Sequence, residues 1–272
     1  MSELSGYPPD VSVSRGEIVC EVEPPLRPAL MHVRHQIGVL SKVASSFLIP
    51  DNHLGRATVS SVAVAHEVER MGGRSIACIN ARDRNLLGFR RDLLTAAAYG
   101  VDQFLLVYGD DPASGERTGQ LTVRSMLDEL RRFSATPAFG IDGAFRAGVT
   151  SRLRPLPKWK AEADFVFAQV SFSLDDLLRW RDSLGFQGPV YAGVIVLASA
   201  PMARKLASDI PEIRVPASWA EAVEQDASAG VELACELALA IDESGAFAGV
   251  HLIPGTRYRE VAARLEARPG RP

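Results

Sequence analysis

Short apolar runs alternate with longer amphipathic segments along most of the chain. Eight runs predict β-strands, near residues 17–22, 46–49, 75–79, 103–107, 137–141, 164–170, 189–197 and 248–253. Segments with apolar residues at helical spacing separate them and predict helices near residues 29–44, 59–71, 86–99, 121–133, 174–183, 201–208, 218–241 and 258–267. Eight such alternations in roughly 250 residues favour a single-domain (β/α)8 TIM barrel of the α/β class over an open doubly wound sheet.

The predicted barrel covers residues 16–268. Residues 1–15 are polar and contain two consecutive prolines, so we expect a flexible N-terminal arm there. No glycine fingerprint follows the first strand, and the GDDP segment at residues 109–112 lacks the lysine and hydroxyl of a phosphate-binding loop. The sequence therefore gives no support to a Rossmann or P-loop fold.

Polar side chains close several of the predicted strands. In a parallel barrel all these positions lie at one end, which is the end that carries active sites. We expect the following residues to surround one cavity: Glu21, Asp51, Asn52, Asn80, Asp110 and Gln169.

Glu21 is the strongest candidate for chemistry. A carboxylate that closes an apolar strand is costly unless it faces a wet cavity, and desolvation there favours the protonated form that a general acid needs. Glu23 shares its strand parity, so position alone does not rank the two. His251 lies in an apolar strand, where a histidine is more often a hydrogen-bonded core residue than a catalyst.

The other polar positions also have structural interpretations. Asp83 precedes an amphipathic helix and is predicted to cap it, while Arg82 and Arg84 fit a solvated face. Asp110 follows a glycine and precedes Asp-Pro, which suits a turn former as well as a binding residue.

Composition narrows the class of partner. A formal net charge of −3 gives no electrostatic footprint for nucleic acid or an anionic membrane, so a small metabolite is favoured. The chain shows no apolar run long enough for a membrane span and no signal-peptide pattern, and we expect a cytoplasmic protein. Its three cysteines are far apart, without a CxxC or other metal-ligand spacing, so neither disulfides nor a metal site is expected. A homo-oligomer is compatible with the sequence.

Five segments in register carry a family resemblance. CEVEPP (20–25) resembles the E-F-F-P-P segment of methylenetetrahydrofolate reductases, ARDRNLLGFRRDLL (81–94) resembles the C-R-D-R-N helix start of one bacterial branch, and GDDP (109–112) resembles the family's G-D-x-P. KWKAEADFVFAQ (158–169) is similar to its K-x(4)-G-A-D-F-x-x-T-Q, and GVHLIPGTRY (249–258) is similar to the branch's closing strand. The matches keep their order and spacing from about residue 19 to residue 257.

The resemblance implies an oxidoreductase of folate-dependent one-carbon metabolism that reduces 5,10-methylenetetrahydrofolate to 5-methyltetrahydrofolate and so supplies methionine biosynthesis. It implies that Glu21 is the general acid that helps open the five-membered ring and that Asp110 bonds the pterin. Gln169 would hold the pterin amide edge, and Arg257 would face the glutamate tail. Amide-rich rings and carboxylates suit such partners.

The residues that the resemblance assigns to flavin binding depart from the family pattern. The resemblance places Lys158, Cys78, Tyr108 and Asn80 on the cofactor side, but Cys78 stands where the family usually has histidine and Tyr108 where its common form has arginine. Pro50 replaces a threonine, Ala200 matches the aromatic that packs over the substrate, and residues 140–156 lack the usual tyrosine and histidine. FAD is therefore an uncertain cofactor, and NAD(P)H or a deazaflavin is an alternative hydride donor.

A second class of function remains open on the sequence. A folate carrier or methyl-transfer partner would keep the pterin site without redox activity, although binding alone needs no buried acid at Glu21. An unrelated barrel enzyme with coincidental motifs is a third alternative.

Overall fold

The computed structural model describes residues 16–140, 145–210 and 212–267. Eight parallel strands close into a barrel in chain order, with the last strand paired to the first. The strands are β1 (Glu17–Glu21), β2 (Ser46–Ile49), β3 (Arg74–Asn80), β4 (Gln103–Val107), β5 (Arg146–Ser151), β6 (Phe165–Val170), β7 (Val190–Ile195) and β8 (Gly249–Ile253). The predicted (β/α)8 barrel is confirmed, while the predicted arm at residues 1–15 lies outside the described residues.

Helices separate successive strands through most of the chain. Within the described ranges the α-helices are α1 (Met31–Leu40), α2 (Ser61–Arg70), α3 (Leu86–Ala98), α4 (Val123–Ser134), α5 (Leu174–Ser183), α6 (Ala200–Asp209), α7 (Ala217–Gln225), α8 (Ala229–Ser244) and α9 (Tyr258–Glu266). None of these helices is long and apolar enough to cross a membrane.

Two elements differ from the sequence prediction. The fifth strand is Arg146–Ser151, whereas the described part of the predicted segment, residues 137–140, contains a 3₁₀ turn at Pro137–Phe139. The predicted helix over residues 218–241 is two helices, α7 and α8. The break lies at Asp226, whose carboxylate accepts hydrogen bonds from the backbone N–H and the hydroxyl of Ser228 (2.8 and 2.6 Å). Asp226 thus offers the backbone an alternative to continuing the helix.

Alternating side chains of the strands point into the barrel and out toward the helices. The inward apolar set is Val19, Leu48, Ile76, Cys78, Leu105, Phe165, Phe167 and Tyr191. Gly148 on β5 makes room for this layer, because a Cβ there would lie 2.0 Å from the ring of Phe165. The interior is therefore packed below the mouth.

A polar cluster closes the amino-terminal end of the barrel. The Glu17 carboxylate accepts hydrogen bonds from Tyr191 Oη (2.9 Å), from Arg74 Nη2 (2.7 Å) and from the Ser46 hydroxyl. Burial and the neighbouring Glu17 raise the pKa of the Tyr191 phenol. The cluster joins strands β1, β2, β3 and β7 at the end of the barrel opposite to the predicted site.

Candidate active site

The carboxyl ends of the strands surround a cavity of about 620 Å³. Glu21 from β1, Asp110 after β4 and Gln169 from β6 line it together, as the sequence predicts. Asp51 also lines the cavity, whereas Asn52 and Asn80 are absent from its wall. Polar groups from four different strands thus converge on one space.

Glu21 projects into this cavity from an almost fully covered position. Glu21 is 9 % exposed, and its Oε2 lies 3.3 Å from Nε2 of His251 on β8. This contact is not a hydrogen bond, and Nε2 is buried without a hydrogen-bond partner among the described residues. The imidazole packs against the ring of Phe167 at a centroid distance of 5.3 Å. The Glu21 carboxyl group therefore has beside it a buried imidazole nitrogen that is able to donate or accept a hydrogen bond.

Glu23, the other carboxylate of the same segment, has a different environment. It is exposed and lines a separate surface depression with Pro24 and His32 instead of the central cavity. The structure therefore separates the two glutamates that the sequence left unranked.

A strand irregularity sets the position of Gln169. The pairing of β6 with β7 shifts between Phe167 and Val170, which places Gln169 within the irregular segment. Gly193 permits this, since a Cβ there would lie 2.7 Å from the carbonyl oxygen of Ala168. Gln169 Oε1 accepts from the Val170 N–H at 3.2 Å, while its amide nitrogen has no protein partner in the described part of the chain. Such bulges redirect side chains next to binding sites.

Asp110 is held by a neighbouring loop. Its Oδ2 accepts a hydrogen bond from the backbone N–H of Leu54 at 3.0 Å, and its side chain remains exposed at the mouth. Gly109, at φ +80°, turns the chain there, and a Cβ would lie 3.1 Å from Cβ of Asn80. Gly109 and Asp110 therefore form a turn, and Asp110 also lines the central cavity, so this segment agrees with both interpretations of the sequence.

The ARDRN segment forms an ion and hydrogen-bond network, which we call the loop network. Its members are Asp51, Asn52, Asn80, Arg82, Asp83 and Arg84. Arg82 donates to both carboxylate oxygens of Asp83 (2.5 and 2.6 Å) and to the carbonyl oxygen of Asp110 (2.6 Å). The network therefore joins the loops that follow β2, β3 and β4.

Further contacts extend the loop network around its two carboxylates. Arg84 Nη1 lies 2.5 Å from Oδ2 of Asp51, and Nδ2 of Asn80 donates to the same oxygen at 2.6 Å. The Arg82 guanidinium, with the Asn52 amide, lowers the pKa of Asp83 from 3.8 to about 2. Asp83 is thus held in its charged form.

These contacts correct two structural interpretations of the sequence. Asp83 does not cap α3; the cap is Asn85, whose side chain accepts from the Gly88 N–H at 2.8 Å. Arg82 and Arg84 do not form a solvated face, because their side chains are only 1 % and 12 % exposed. Local capping rules fail here because Asp83 has a stronger partner in the adjacent arginine.

Arg257 lies at the same end of the barrel but not on the wall of the cavity. Its guanidinium contacts the carboxylate of Glu260 at 3.1 Å and the carbonyl oxygen of Ala198 at 3.4 Å. The arrangement brings Glu21, Asp110 and Gln169 together and leaves Arg257 beside them, near the loop after β7.

The residues assigned to the cofactor do not form a common cradle. Cys78 and Tyr108 line the cavity, but Lys158 is exposed outside it and Asn80 is fully buried with its amide bound to the loop network. Burial, with the nearby Glu21 carboxylate, raises the pKa of the Cys78 thiol well above its usual range, so it contributes no anion. This set of residues does not fit FAD in the way the family resemblance implies.

Several lining residues were missed by sequence reasoning. Lys160 reaches the cavity and donates to the carbonyl oxygen of Thr150 (2.5 Å), and burial lowers the pKa of its ammonium group. Arg152 and Arg154 line the cavity from the loop after β5. The misplaced fifth strand concealed them, because with the observed bounds they follow a strand end like the other site residues. No cluster of potential metal ligands occurs in the described residues.

Comparison with solved structures identifies similar barrels. A Clostridium thermocellum protein that binds two copies of 5-methyl-5,6,7,8-tetrahydrofolic acid has a TM-score of 0.60 at 12 % identity, covering 92 % of this chain and 94 % of that chain. The Bacillus cereus spore cortex-lytic enzyme SleL has a TM-score of 0.54 at 10 % identity, with 92 % and 74 % covered. The Yersinia pestis DHPS with a pterine–sulfa conjugate has a TM-score of 0.50 at 13 % identity, with 94 % of each chain covered. At these identities the likeness shows the fold.

The family of the chain is identified from its sequence. No curated protein sequence matches the chain. The sequence profile described as methylenetetrahydrofolate reductase matches residues 30–263, which include most of the barrel and all but the first strand. The chain therefore belongs to the methylenetetrahydrofolate reductase family.

Proposed function

We propose that this protein reduces the methylene bridge of 5,10-methylenetetrahydrofolate to the methyl group of 5-methyltetrahydrofolate by hydride transfer. The observation that carries the proposal is the buried Glu21 beside His251, on the wall of a cavity that also presents Asp110 and Gln169. The family assignment supports the substrate class. The folate ligand of the Clostridium thermocellum barrel is consistent with it.

The chemistry needs one proton and one hydride. Protonation of N10 of the folate lets its bond to the bridging carbon break, and the electron pair of that bond stays on nitrogen. The resulting N5 iminium carbon accepts the hydride and becomes the methyl group. A nicotinamide, flavin or deazaflavin donor supplies that hydride.

Glu21 is the proposed proton donor. It is the acidic residue on the inner side of the barrel next to a buried imidazole, and burial of this kind lets a carboxylic acid transfer a proton to substrate without competition from bulk water. His251 acts as a positioning residue for the carboxyl group. Its unpartnered Nε2 provides a hydrogen-bond site that a small rotation would bring to Glu21.

Asp110 and Gln169 are proposed to bind the pterin. A pterin presents adjacent N–H donors and a carbonyl acceptor in one plane, which a carboxylate and a primary amide complement. Gln169 has a free amide nitrogen, and Asp110 has one carboxylate oxygen beyond the contact with Leu54. These contacts are made to substrate and transition state alike and contribute to binding more than to turnover.

The central test is Glu21→Gln, with Glu23→Gln as the matched control. Glutamine keeps the size and hydrogen bonding of glutamate but removes the acidic proton, so turnover should fall by about 10²–10⁴-fold, the usual contribution of a general acid. The dissociation constant for 5-methyltetrahydrofolate should change little, and Glu23→Gln should leave both quantities unchanged. Turnover is measured as formation of 5-methyltetrahydrofolate with NADH, NADPH, reduced flavin and reduced deazaflavin as separate donors.

The alternatives predict different results. A folate carrier would bind 5-methyltetrahydrofolate but form no product with any donor. If Glu21→Gln turned over like the wild type, Glu21 would be a structural carboxylate and the proposed acid would be wrong.

A further inference from the structure

A depression of about 530 Å³ lies outside the strands of the barrel, between helices α1 and α9. The rest of its wall comes from the segments that follow β1 and β8, the strands that carry Glu21 and His251. None of the residues that line this depression also lines the central cavity. It is therefore a separate space, which we call the α1–α9 depression.

Two well-covered polar side chains in its wall have no hydrogen-bond partner in the part of the chain that the structure describes. They are the amide of Gln36, which is 5 % exposed, and the phenol of Tyr258, which is 6 % exposed. Two imidazoles of α1 pack edge-on against the Tyr258 ring, with centroid distances of 6.0 and 6.1 Å, and fix its position. Buried polar groups are normally paired, so an unpaired amide and phenol in one depression indicate a ligand that pairs with them.

The wall also presents one charge of each sign. The exposed Glu23 carboxylate forms no hydrogen bond or ion pair within the described residues. The guanidinium of Arg259 contacts no carboxylate there; its Nη2 lies 3.0 Å from Nε2 of His35. Glu260, the other acid of the wall, is paired with Arg257 at 3.1 Å. One carboxylate and one guanidinium are thus available to a ligand, and they do not pair with each other.

The remaining side of the depression is apolar. Pro24, Pro25 and Leu26 form it, directly after the Glu23 carboxylate in the chain. Leu26 is 63 % exposed, although it is a large apolar side chain. Small-molecule sites commonly combine an apolar wall with a few convergent polar groups. This wall can therefore cover an apolar part of the same ligand.

We propose that the α1–α9 depression binds a free α-amino acid with an apolar side chain. The ammonium group of such a zwitterion complements Glu23, and its carboxylate complements the guanidinium of Arg259. The amide of Gln36 and the phenol of Tyr258 provide hydrogen bonds to these two groups. A ligand with a single charge would leave one of the two wall charges without a partner. The site is independent of the reaction proposed for the central cavity.

Calorimetry with free L-leucine and three analogues tests the proposal on the intact protein. 4-Methylpentanoate lacks the ammonium group, 3-methylbutylamine lacks the carboxylate, and glycine lacks the apolar side chain. Free L-leucine should bind at least about tenfold more tightly than each analogue, because each analogue loses one class of contact. Absence of L-leucine binding, or binding no tighter than that of any analogue, would overturn the proposal.

Variants locate the site. Glu23→Gln and Arg259→Gln should each raise the dissociation constant for free L-leucine about tenfold, as expected for loss of one charge-assisted contact. Glu21→Gln, on the wall of the central cavity, and Arg124→Gln, at an exposed position on α4, are the matched controls and should leave that constant unchanged. Wild-type affinity for L-leucine in Glu23→Gln or in Arg259→Gln would overturn the proposal.

Gln36→Leu separates a ligand-binding amide from one that supports the fold. The substitution removes an unpaired polar group from a covered position, so the thermal midpoint should stay the same or rise while binding of free L-leucine weakens. A lower midpoint with unchanged L-leucine binding would overturn the role of Gln36 in the site. The turnover assays contain no amino acid, so failure of L-leucine binding and failure of the proposed reductase activity are observed separately.

Discussion

Replacement of Arg82 by methionine tests whether the loop network stabilises the mouth of the barrel. Methionine keeps an unbranched apolar stem like that of arginine but cannot donate to Asp83 or to the carbonyl oxygen of Asp110. Arg82 is 3 % exposed, so the partners it leaves are only partly reachable by water. Breaking a well-covered ion pair by removing one partner is strongly destabilising.

The magnitude follows from the carboxylate. A pKa for Asp83 lowered from 3.8 to about 2 corresponds to about 2.4 kcal/mol, at about 1.36 kcal/mol per pH unit. The Asp83 side chain is 29 % exposed and keeps its contacts with Asn52 and Asn80, so solvent screening and those donors reduce the loss. Loss of the bond to Asp110 adds roughly 1 kcal/mol. We expect Arg82→Met to cost about 2–3 kcal/mol.

Thermal and urea unfolding provide the assay. For a chain of this size about 1 kcal/mol shifts the unfolding midpoint by roughly 2–4 °C, so Arg82→Met should lower it by about 4–12 °C. Arg91→Met is the matched control, because that side chain is 74 % exposed and, among the described residues, its guanidinium contacts only Asp92; its midpoint should move by less than about 2 °C. Equal midpoints for Arg82→Met and Arg91→Met would refute the assigned role of the loop network.

Three further predictions concern single residues. The Asp83 carboxylate contributes stability above about pH 4 that is lost as the pH falls toward 2, so the advantage of wild type over Asp83→Asn in urea unfolding should be smaller at about pH 3 than at about pH 5. Gly148→Ala should destabilise the protein by about 1–3 kcal/mol, because the added Cβ would overlap the ring of Phe165. Gly38→Ala in α1 is the control and should be neutral or stabilising, since its Cβ would meet only one atom, at 3.8 Å. Similar unfolding midpoints for the two variants would contradict the packing argument. Cys78 should resist alkylation at neutral pH in the folded protein and react on unfolding, as mass spectrometry of iodoacetamide-treated samples would show; rapid labelling of the native state would contradict its burial.

Elements with both an apolar period and clear end signals were predictable from sequence. Strand β4 and helix α5 have the predicted bounds, Gln103–Val107 and Leu174–Ser183. The fifth strand was not predictable in this way, because Arg146–Ser151 includes a glycine whose reason is the ring of Phe165, 17 residues further along the chain. Strand propensity does not include such a distant packing partner.

The candidate site likewise contains some residues whose place was predictable from sequence and others whose place was not. Glu21, Asp110 and Gln169 follow apolar runs and were brought to one cavity, because parallel strands end together. Glu21 and Glu23 could not be ranked without knowing where the strand ends. The role of Arg82 also depended on tertiary structure, since two of its acceptors lie on other loops. Alternation and spacing indicate which end of the barrel a residue occupies, but not its partners.

The loop network has a consequence for the thermodynamics of ligand binding. Ordering a loop costs about 1–2 kcal/mol per residue in backbone entropy, which a ligand must offset if the loop is ordered only on binding. Here Arg82 and Leu54 hold the backbone and the carboxylate of Asp110 within the protein itself. A pterin that contacts Asp110 therefore meets a preorganised partner, and its affinity carries little of that entropic cost. Binding on this side of the mouth should resemble rigid docking, with a small change in conformational entropy.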